Sequence, residues 1–440
     1  MSDSNKAQRI DLFSLSTPHM RAFHMAWLAF FLCFCGWFAV APLMAIIRQD
    51  LSLSKEQIGN TIIASVIGTV FARLLIGWLC DRVGPRRLFT ALLITGSIPV
   101  MAVGLADSYE TFLLARLVIG MVGGSFVIAQ YHTSAMFAPN VVGTANATTA
   151  GWGNLGGGIT QLIMPAAVGG LLALGVSQSL SWRLSMLVPG LAMIAAGFAY
   201  YRFTRDTPDG DYKDLRASGA LGAPASAKGS WGPVLRDPRV WVLFLAYGAC
   251  FGVELTTYNV TALYFTDRFG LSLQVAGLVA ALHGSLNLFA RALGGILGDR
   301  AGVRHGLHGR VVVLGAVLLA EGAALLLFSQ MSAVGLAIVA LLVFSLFVQM
   351  ACGATYSVVP FVNKKAVGTV FGIVGAGGNA GAVAAGFLFR SPTLSTQAAL
   401  FWLGVAVLVS AGLAFTIRFS EREQSEAVGG TRELEALPAE

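Results

Sequence analysis

The chain has 440 residues, of which 56% are hydrophobic and only 12% charged, with a formal net charge of +7 and a mean hydropathy of +0.72. A soluble domain carries roughly 25% charged residues, so an ordinary water-soluble protein is excluded. Apolar stretches recur from residue 22 to residue 419, which defines a polytopic helical membrane protein. The positive charge reads as loop lysine and arginine facing the cytoplasm, not as a nucleic-acid surface.

In chain order, residues 1–21 form a polar cytoplasmic segment. The apolar run after it is too long for a signal-peptide core and lacks a cleavage site, so it stays as the first span. Hydropathy predicts twelve spans, near 22–47, 57–81, 87–106, 110–137, 141–174, 183–204, 238–266, 272–298, 309–329, 333–361, 365–389 and 395–419. The expectation is an all-α protein with an N-terminal six-helix bundle (22–204), a cytoplasmic linker (205–237), a C-terminal six-helix bundle (238–419) and a cytoplasmic tail (420–440).

Loop 2–3 holds Arg82, Arg86 and Arg87; loop 8–9 holds Arg300, Arg304 and Arg310; loop 10–11 holds Lys364 and Lys365. On the opposite side loop 3–4 holds Asp107 and Glu110, and loop 9–10 holds no charge. Both termini are therefore expected in the cytoplasm, with the chain in the cytoplasmic or inner membrane. The linker is rich in Gly, Ala, Ser, Pro and charge, as a connector should be. Cys33, Cys35, Cys80, Cys250 and Cys352 lie in or at the ends of apolar runs without a paired motif, and read as packing thiols. No cofactor or metal is expected.

Two arginines stand inside the apolar segments. Arg73 lies in FARLLIGWLCDRVGPRR (71–87), and Arg291 in FARALGGILGDRAGVRHG (289–306). Each precedes an aspartate, Asp81 or Asp299, by eight residues, and the two are 218 residues apart, close to half the chain. A charge at bilayer depth costs roughly 2.5–3.5 kcal/mol on the insertion scale. Two such costs in register point to a paired anion site at the midplane of a duplicated protein.

Four-residue spacing continues the pattern through Thr61, Ser65, Thr69, Arg73, Gly77 and Asp81, and through His283, Asn287, Arg291, Gly295 and Asp299. These polar stripes are expected to face a shared wet cavity. Structural ion pairs or snorkelling are the alternatives.

Spans 5 and 11 carry AGWGNLGGGITQ (150–161) and GAGGNAGAVAAG (375–386). Asn154 and Asn379 share the pattern Gly-Asn-x-Gly, and an amide donates to an oxyanion without adding charge. The glycines admit either the anion or a neighbouring helix. Phe126 and Tyr247 are candidates to clamp a flat anion, with packing as the alternative. Glu254 is a proton-relay candidate or a counter-ion for one of the arginines; Glu321 is a weaker candidate of the same kind.

The loop GWLCDRVGPRR (77–87) resembles the 2–3 loop motif of the major facilitator superfamily, and GGILGDRAGVR (294–304) resembles its weaker second copy. The resemblance implies a conformational latch at Gly77, Asp81, Arg82 and Arg86, with Asp299 and Arg300 in the second copy. AGWGNLGGGITQLIMP (150–165) and the span-11 stretch resemble the signature segments of the nitrate/nitrite porter family, and FGVELTTYNVTALYFTDRFG (251–270) is similar to span 7 of its assimilatory high-affinity branch. The resemblance covers all twelve spans.

It implies a secondary transporter of nitrate and nitrite in which Arg73 and Arg291 grip the anion, Asn154 assists, Phe126 stacks on it, and Tyr247 is the aromatic of span 7. A further family tyrosine one turn earlier is replaced here by Leu243 or Phe244. The implied partners are the anion, protons and the lipid bilayer, with a monomer as the functional unit. Nitrate/nitrite antiport, transport of another small anion, and a membrane nitrate sensor are the alternatives. An enzyme is not expected, because no metal or triad spacing is present.

Overall fold

A computed structural model describes residues 5–138, 141–219, 231–363, 367–421 and 423–424. Among the described residues every regular element is a helix. Among the described residues ten helical segments are long and apolar enough to cross a membrane: Pro18–Asp50, Pro85–Leu105, Tyr109–Met136, Ala145–Ala173, Gln178–Phe203, Pro238–Phe269, Leu273–Gln330, Val334–Phe361, Val370–Arg390 and Thr396–Ala414. The expected second span is the Lys55–Val83 helix, which carries the polar stripe and falls outside these ten. The expected spans 8 and 9 lie in one 58-residue segment that breaks at Gly306, where φ is 65°. Glycine adopts that left-handed conformation without a Cβ clash.

Helix starts follow a rule. The expected spans 2, 4, 6, 8 and 12 open on Ser54, Ser108, Ser177, Ser272 and Ser395, and each hydroxyl accepts from the backbone N–H three residues on. A first-turn N–H left bare beside an apolar phase has no water to turn to, so a capping hydroxyl matters more here than on a soluble helix.

The helices gather into two compact units. One comprises Met1–Ala227 with Tyr258–Asn287; the other comprises Lys228–Thr257 with Leu288–Glu440. These units differ from a division at the linker alone, because residues 258–287 pack with the N-terminal helices. The reasons are specific. Gln161 Nε2 donates to the Tyr258 carbonyl at 2.8 Å, Asn287 Nδ2 donates to the Tyr258 hydroxyl at 2.8 Å, and Arg48 grips Asp267 with two bonds of 2.6 Å. Arg116 donates to Asn259 Oδ1 at 3.0 Å. Around these bonds Phe30, Phe34, Trp37 and Phe38 make a buried aromatic column on the first helix.

In the second unit the helices meet backbone to backbone. A Cβ on Gly353 would lie 1.9 Å from the Arg291 carbonyl oxygen, one on Gly377 2.2 Å from that of Phe244, and one on Gly381 2.2 Å from that of Gly248. Only glycine permits this approach. Gly372, on the same helix as Gly377 and Gly381, has nothing within 4 Å of such a Cβ. Gly381→Ala is expected to destabilise the protein by about 1–3 kcal/mol through overpacking, whereas Gly372→Ala stabilises it by about 0.5–1 kcal/mol through helix propensity. Thermal unfolding of the two variants in detergent should move the midpoint in opposite directions.

Candidate substrate site

Arg291 sits near the start of the Ala290–Gln330 helix, with its side chain only 12% exposed. Its Nη2 donates to Glu254 Oε2 at 2.6 Å, and the Glu254 side chain is 1% exposed. The same nitrogen reaches Gln349 Oε1 at 3.4 Å, the guanidinium carbon lies 5.6 Å from the Phe251 ring centroid, and the Cys352 thiol lies 3.7 Å from Glu254 Oε2. The counter-ion contact, one of the two expectations for Glu254, is present.

A π-turn over Gly248–Gly252 arranges this wall. One extra residue per turn is accommodated where glycines 248 and 252 let the neighbouring helix press in. The turn stacks Tyr247 on Phe251, with centroids 5.1 Å apart and planes 8° apart, and sets Tyr247 edge-on to Tyr356. Phe251 is the ring nearest the Arg291 guanidinium among those described, and Tyr247 stacks on it. Phe251 is the ring the sequence reading missed, although it opens the stretch read as span 7.

Arg73 lies on the Lys55–Val83 helix with its guanidinium carbon 5.5 Å from the centroid of Phe126. Phe126 in turn meets Phe30 edge-on. Each unit thus pairs one intramembrane arginine with one aromatic face, an arrangement that favours a delocalised planar cation.

Asn154 and Asn379 are each 1% exposed. Asn154 has no hydrogen-bond partner on Nδ2 or Oδ1, and Asn379 has none on Oδ1. Buried amides are almost always satisfied, and an unsatisfied one costs about 1–3 kcal/mol. The glycines beside them are explained by packing: a Cβ on Gly156 would meet the Phe31 carbonyl oxygen at 2.1 Å, and one on Gly378 the Phe251 ring at 2.5 Å. So within each Gly-Asn-x-Gly pattern the glycines serve the helices, while the asparagine keeps unspent hydrogen-bonding capacity.

The side chains of Gly77 and Asp81 lie outside the described residues, as do Lys364 and Lys365. Arg86 donates to the Tyr201 carbonyl at 2.8 Å and 2.7 Å, pairs with Asp211, and covers the Tyr201 ring at 4.3 Å. Asp206 accepts from the backbone N–H of Arg86 and of Tyr212, both at 2.8 Å, and so caps the Pro85–Ala102 helix from the linker. Burial pushes its carboxyl above the usual range, against the pull of those two N–H groups. Arg82 is exposed, and its carbonyl accepts from Arg216. In the second copy Asp299 pairs with Arg310, which also donates to the Ser357 carbonyl at 3.1 Å, and Arg300 is exposed. The linker's aspartates were not foreseen as partners of loop 2–3.

Arg116 was missed altogether. It is 1% exposed and donates to the Trp37 carbonyl, Ser65 Oγ and Asn259 Oδ1, all neutral acceptors. His132 is fixed by Tyr200 and the Arg205 carbonyl. All five cysteines are buried, and none forms a disulfide among the described residues. Among the described residues no three His, Cys, Asp or Glu side chains gather to hold a metal ion.

The fold is shared with solved transporters. Crystal structures of a bacterial homolog to the human lysosomal transporter Spinster, inward-facing, match with TM-scores of 0.69 (unoccupied) and 0.70 (occupied). They cover 94% and 91% of this chain and 99% and 97% of theirs at 17% and 18% identity, a likeness of fold. The Major Facilitator Superfamily model matches residues 26–386, which sets the chain in a class of membrane transporters rather than enzymes.

Closer relatives narrow this. High affinity nitrate transporter 2.5 of Arabidopsis thaliana is 42% identical over 406 residues, covering 91% of this chain and 80% of its own. High-affinity nitrate transporter 2.3 of Oryza sativa subsp. japonica is 41% identical over 92% of this chain and 78% of its own. The nitrate/nitrite transporter NrtP of Nostoc punctiforme is 29% identical over 91% and 92%. The chain belongs to the nitrate/nitrite porter family of the superfamily.

Removing Glu254 leaves Arg291 as an uncompensated buried charge. Glu254→Ala is expected to cost about 3–5 kcal/mol, and Glu254→Ala with Arg291→Leu to cost clearly less than the sum of the two single changes. A thermal-unfolding double-mutant cycle checks this, and additivity would deny the coupling.

Proposed function

We propose that the protein takes up nitrate, and nitrite as a second substrate, across the cytoplasmic membrane by alternating access in symport with protons. What supports this most is the chemistry of Arg291: a buried guanidinium whose Nη2 already donates to an anion, the Glu254 carboxylate. Nitrate presents the same kind of edge. In this reading Arg73 and Arg291 hold the anion, Phe126 and Phe251 flank the two guanidinium groups, and Asn154 and Asn379 spend their amides on its oxygens. Tyr247 supports Phe251 by stacking on it.

In this reading coupling runs through the Arg291–Glu254 pair: nitrate on Arg291 displaces the Glu254 carboxylate, and a proton on Glu254 neutralises the charge so released, which links the binding of the two. The drive is needed, because 100 mV opposes entry of one anion by about 2.3 kcal/mol.

The remaining architecture belongs to the same proposal. Lys55–Val83 and a division at Gly306 bring the ten spans to twelve, arranged as two six-helix bundles around the linker, with both termini cytoplasmic and one chain as the working unit. Gly77, Asp81, Arg82 and Arg86, with Asp299 and Arg300, latch the cytoplasmic loops as access alternates. The grip of Arg86 on Tyr201 and Asp211 supports that role.

The test is nitrate uptake into proteoliposomes, with and without an inward proton gradient, and with nitrite inside or absent. Uptake driven by the gradient alone supports symport. Uptake only against internal nitrite or nitrate replaces it by exchange, and binding without uptake replaces it by sensing. Arg73→Lys and Arg291→Lys keep the charge but lose the fork, and are each expected to lower uptake at least about tenfold, the scale of one charge-assisted bond. Lysine variants with normal uptake would remove the bidentate grip.

A further inference from the structure

Glu321 lies in the Ala290–Gln330 helix beyond the Gly306 break and is fully buried. Neither Oε1 nor Oε2 has a hydrogen-bond partner. Cys352 and Glu254 are the ionisable groups that bear on it electrostatically. Neither offers it a cation. Arg291 is bonded to Glu254. The residue after Glu321, Gly322, packs against Leu408 and the Gly404 carbonyl.

A carboxylate in such a place would carry a full charge with no donor on either oxygen, which is the costliest form of buried polar group. A neutral carboxylic acid is far cheaper. A purely structural side chain gains nothing from being an acid there, since leucine or glutamine fills the same volume at lower cost. Its link to the anion chemistry runs through Cys352 and Glu254, the groups that act on it electrostatically. Cys352 touches Glu254, and its chain neighbour Gly353 packs on the Arg291 carbonyl.

We propose that Glu321 is a second proton-binding site of the transport cycle, separate from Glu254 and occupied by a proton in the conformation described here. The inference rests on the proton-coupled reading above. The proton bound to a Glu321 oxygen leaves as a hydron when the access change brings that oxygen to water or to a cation, and another is taken up from the opposite side. No electrons move. At the Arg291–Glu254 pair one proton accompanies one nitrate, so that step carries no net charge. A second proton on Glu321 makes the cycle carry +1 inward, so that the membrane potential assists nitrate entry instead of leaving it unaffected.

The experiment is nitrate uptake by the full-length protein in proteoliposomes at a fixed pH gradient, with the potential set at 0 or about 100 mV inside-negative by a potassium diffusion potential. For one charge per cycle that potential is worth a factor of about 50 in accumulation. Wild type is expected to respond accordingly. Glu321→Gln, a neutral isostere of the protonated acid, is expected to lose that response while keeping nitrate counterflow and nitrate-induced thermal stabilisation. Glu321→Asp keeps a carboxyl and is expected to retain the response with a displaced pH profile. A Glu321→Gln protein that responds to potential as wild type does overturns the site and leaves proton-coupled uptake standing. Loss of counterflow in both variants also overturns it, because the acid is then needed for something other than carrying a proton. Wild type that shows no proton-driven uptake overturns both this inference and the reading beneath it.

Discussion

A guanidinium buried among apolar helices has to be answered by something, and the protein answers its intramembrane arginines in different ways. Arg291 is met by a carboxylate, Arg116 by three neutral oxygens, and Arg73 by an aromatic face together with other contacts. A carboxylate cancels the charge and resists displacement by anything but another anion. Neutral oxygens satisfy the donors and leave the charge in place. Which arginine can exchange its partner for a substrate is therefore written in the chemistry of its first neighbours, and Arg291 is the one already holding an anion.

Backbone packing sets where those side chains can be. Helices that meet at glycine carbonyls, as at Gly353 on Arg291 and Gly381 on Gly248, bring their axes too close for any side chain to intervene. The polar groups are displaced to the flanks of each contact. Asn154 and Asn379 occupy such flanks, buried and with amide atoms unspent. The π-turn at Gly248–Gly252 lies at the same close contacts, and Tyr247 and Phe251 stack across it.

How much of this could be read from residues alone varies with its physical origin. A charge inside an apolar run is conspicuous in one dimension, so Arg73, Arg291 and Glu254 stood out, as did the membrane class. Paired motifs half a chain apart made Asn154 and Asn379 visible for the same reason. Phe251 was overlooked because its place beside Arg291 depends on packing between helices around the π-turn, which hydropathy does not encode. The counter-ion role of Glu254 was one of two open readings, since pairing is a matter of distance between helices. Arg116 sits near the end of its span, where an arginine ordinarily snorkels to the interface; only its three acceptors, contributed by distant stretches, show that it does not. The aspartates of the linker were read as solvated connector, and they instead hold the start of the Pro85–Ala102 helix.

Arg116 also constrains how the protein can be made. Its acceptors come from the first helix, the second helix and Asn259, and the last of these is 143 residues further along the chain. At the usual pace of synthesis, about 5–20 residues per second, the arginine waits roughly 7–30 s for Asn259 to emerge. During that interval the Tyr109–Met136 span holds a cation in or beside the bilayer with its acceptor set incomplete, met only by the Trp37 carbonyl and Ser65 Oγ of helices made before it. One residue thus ties the N-terminal helices to a stretch synthesised long after them.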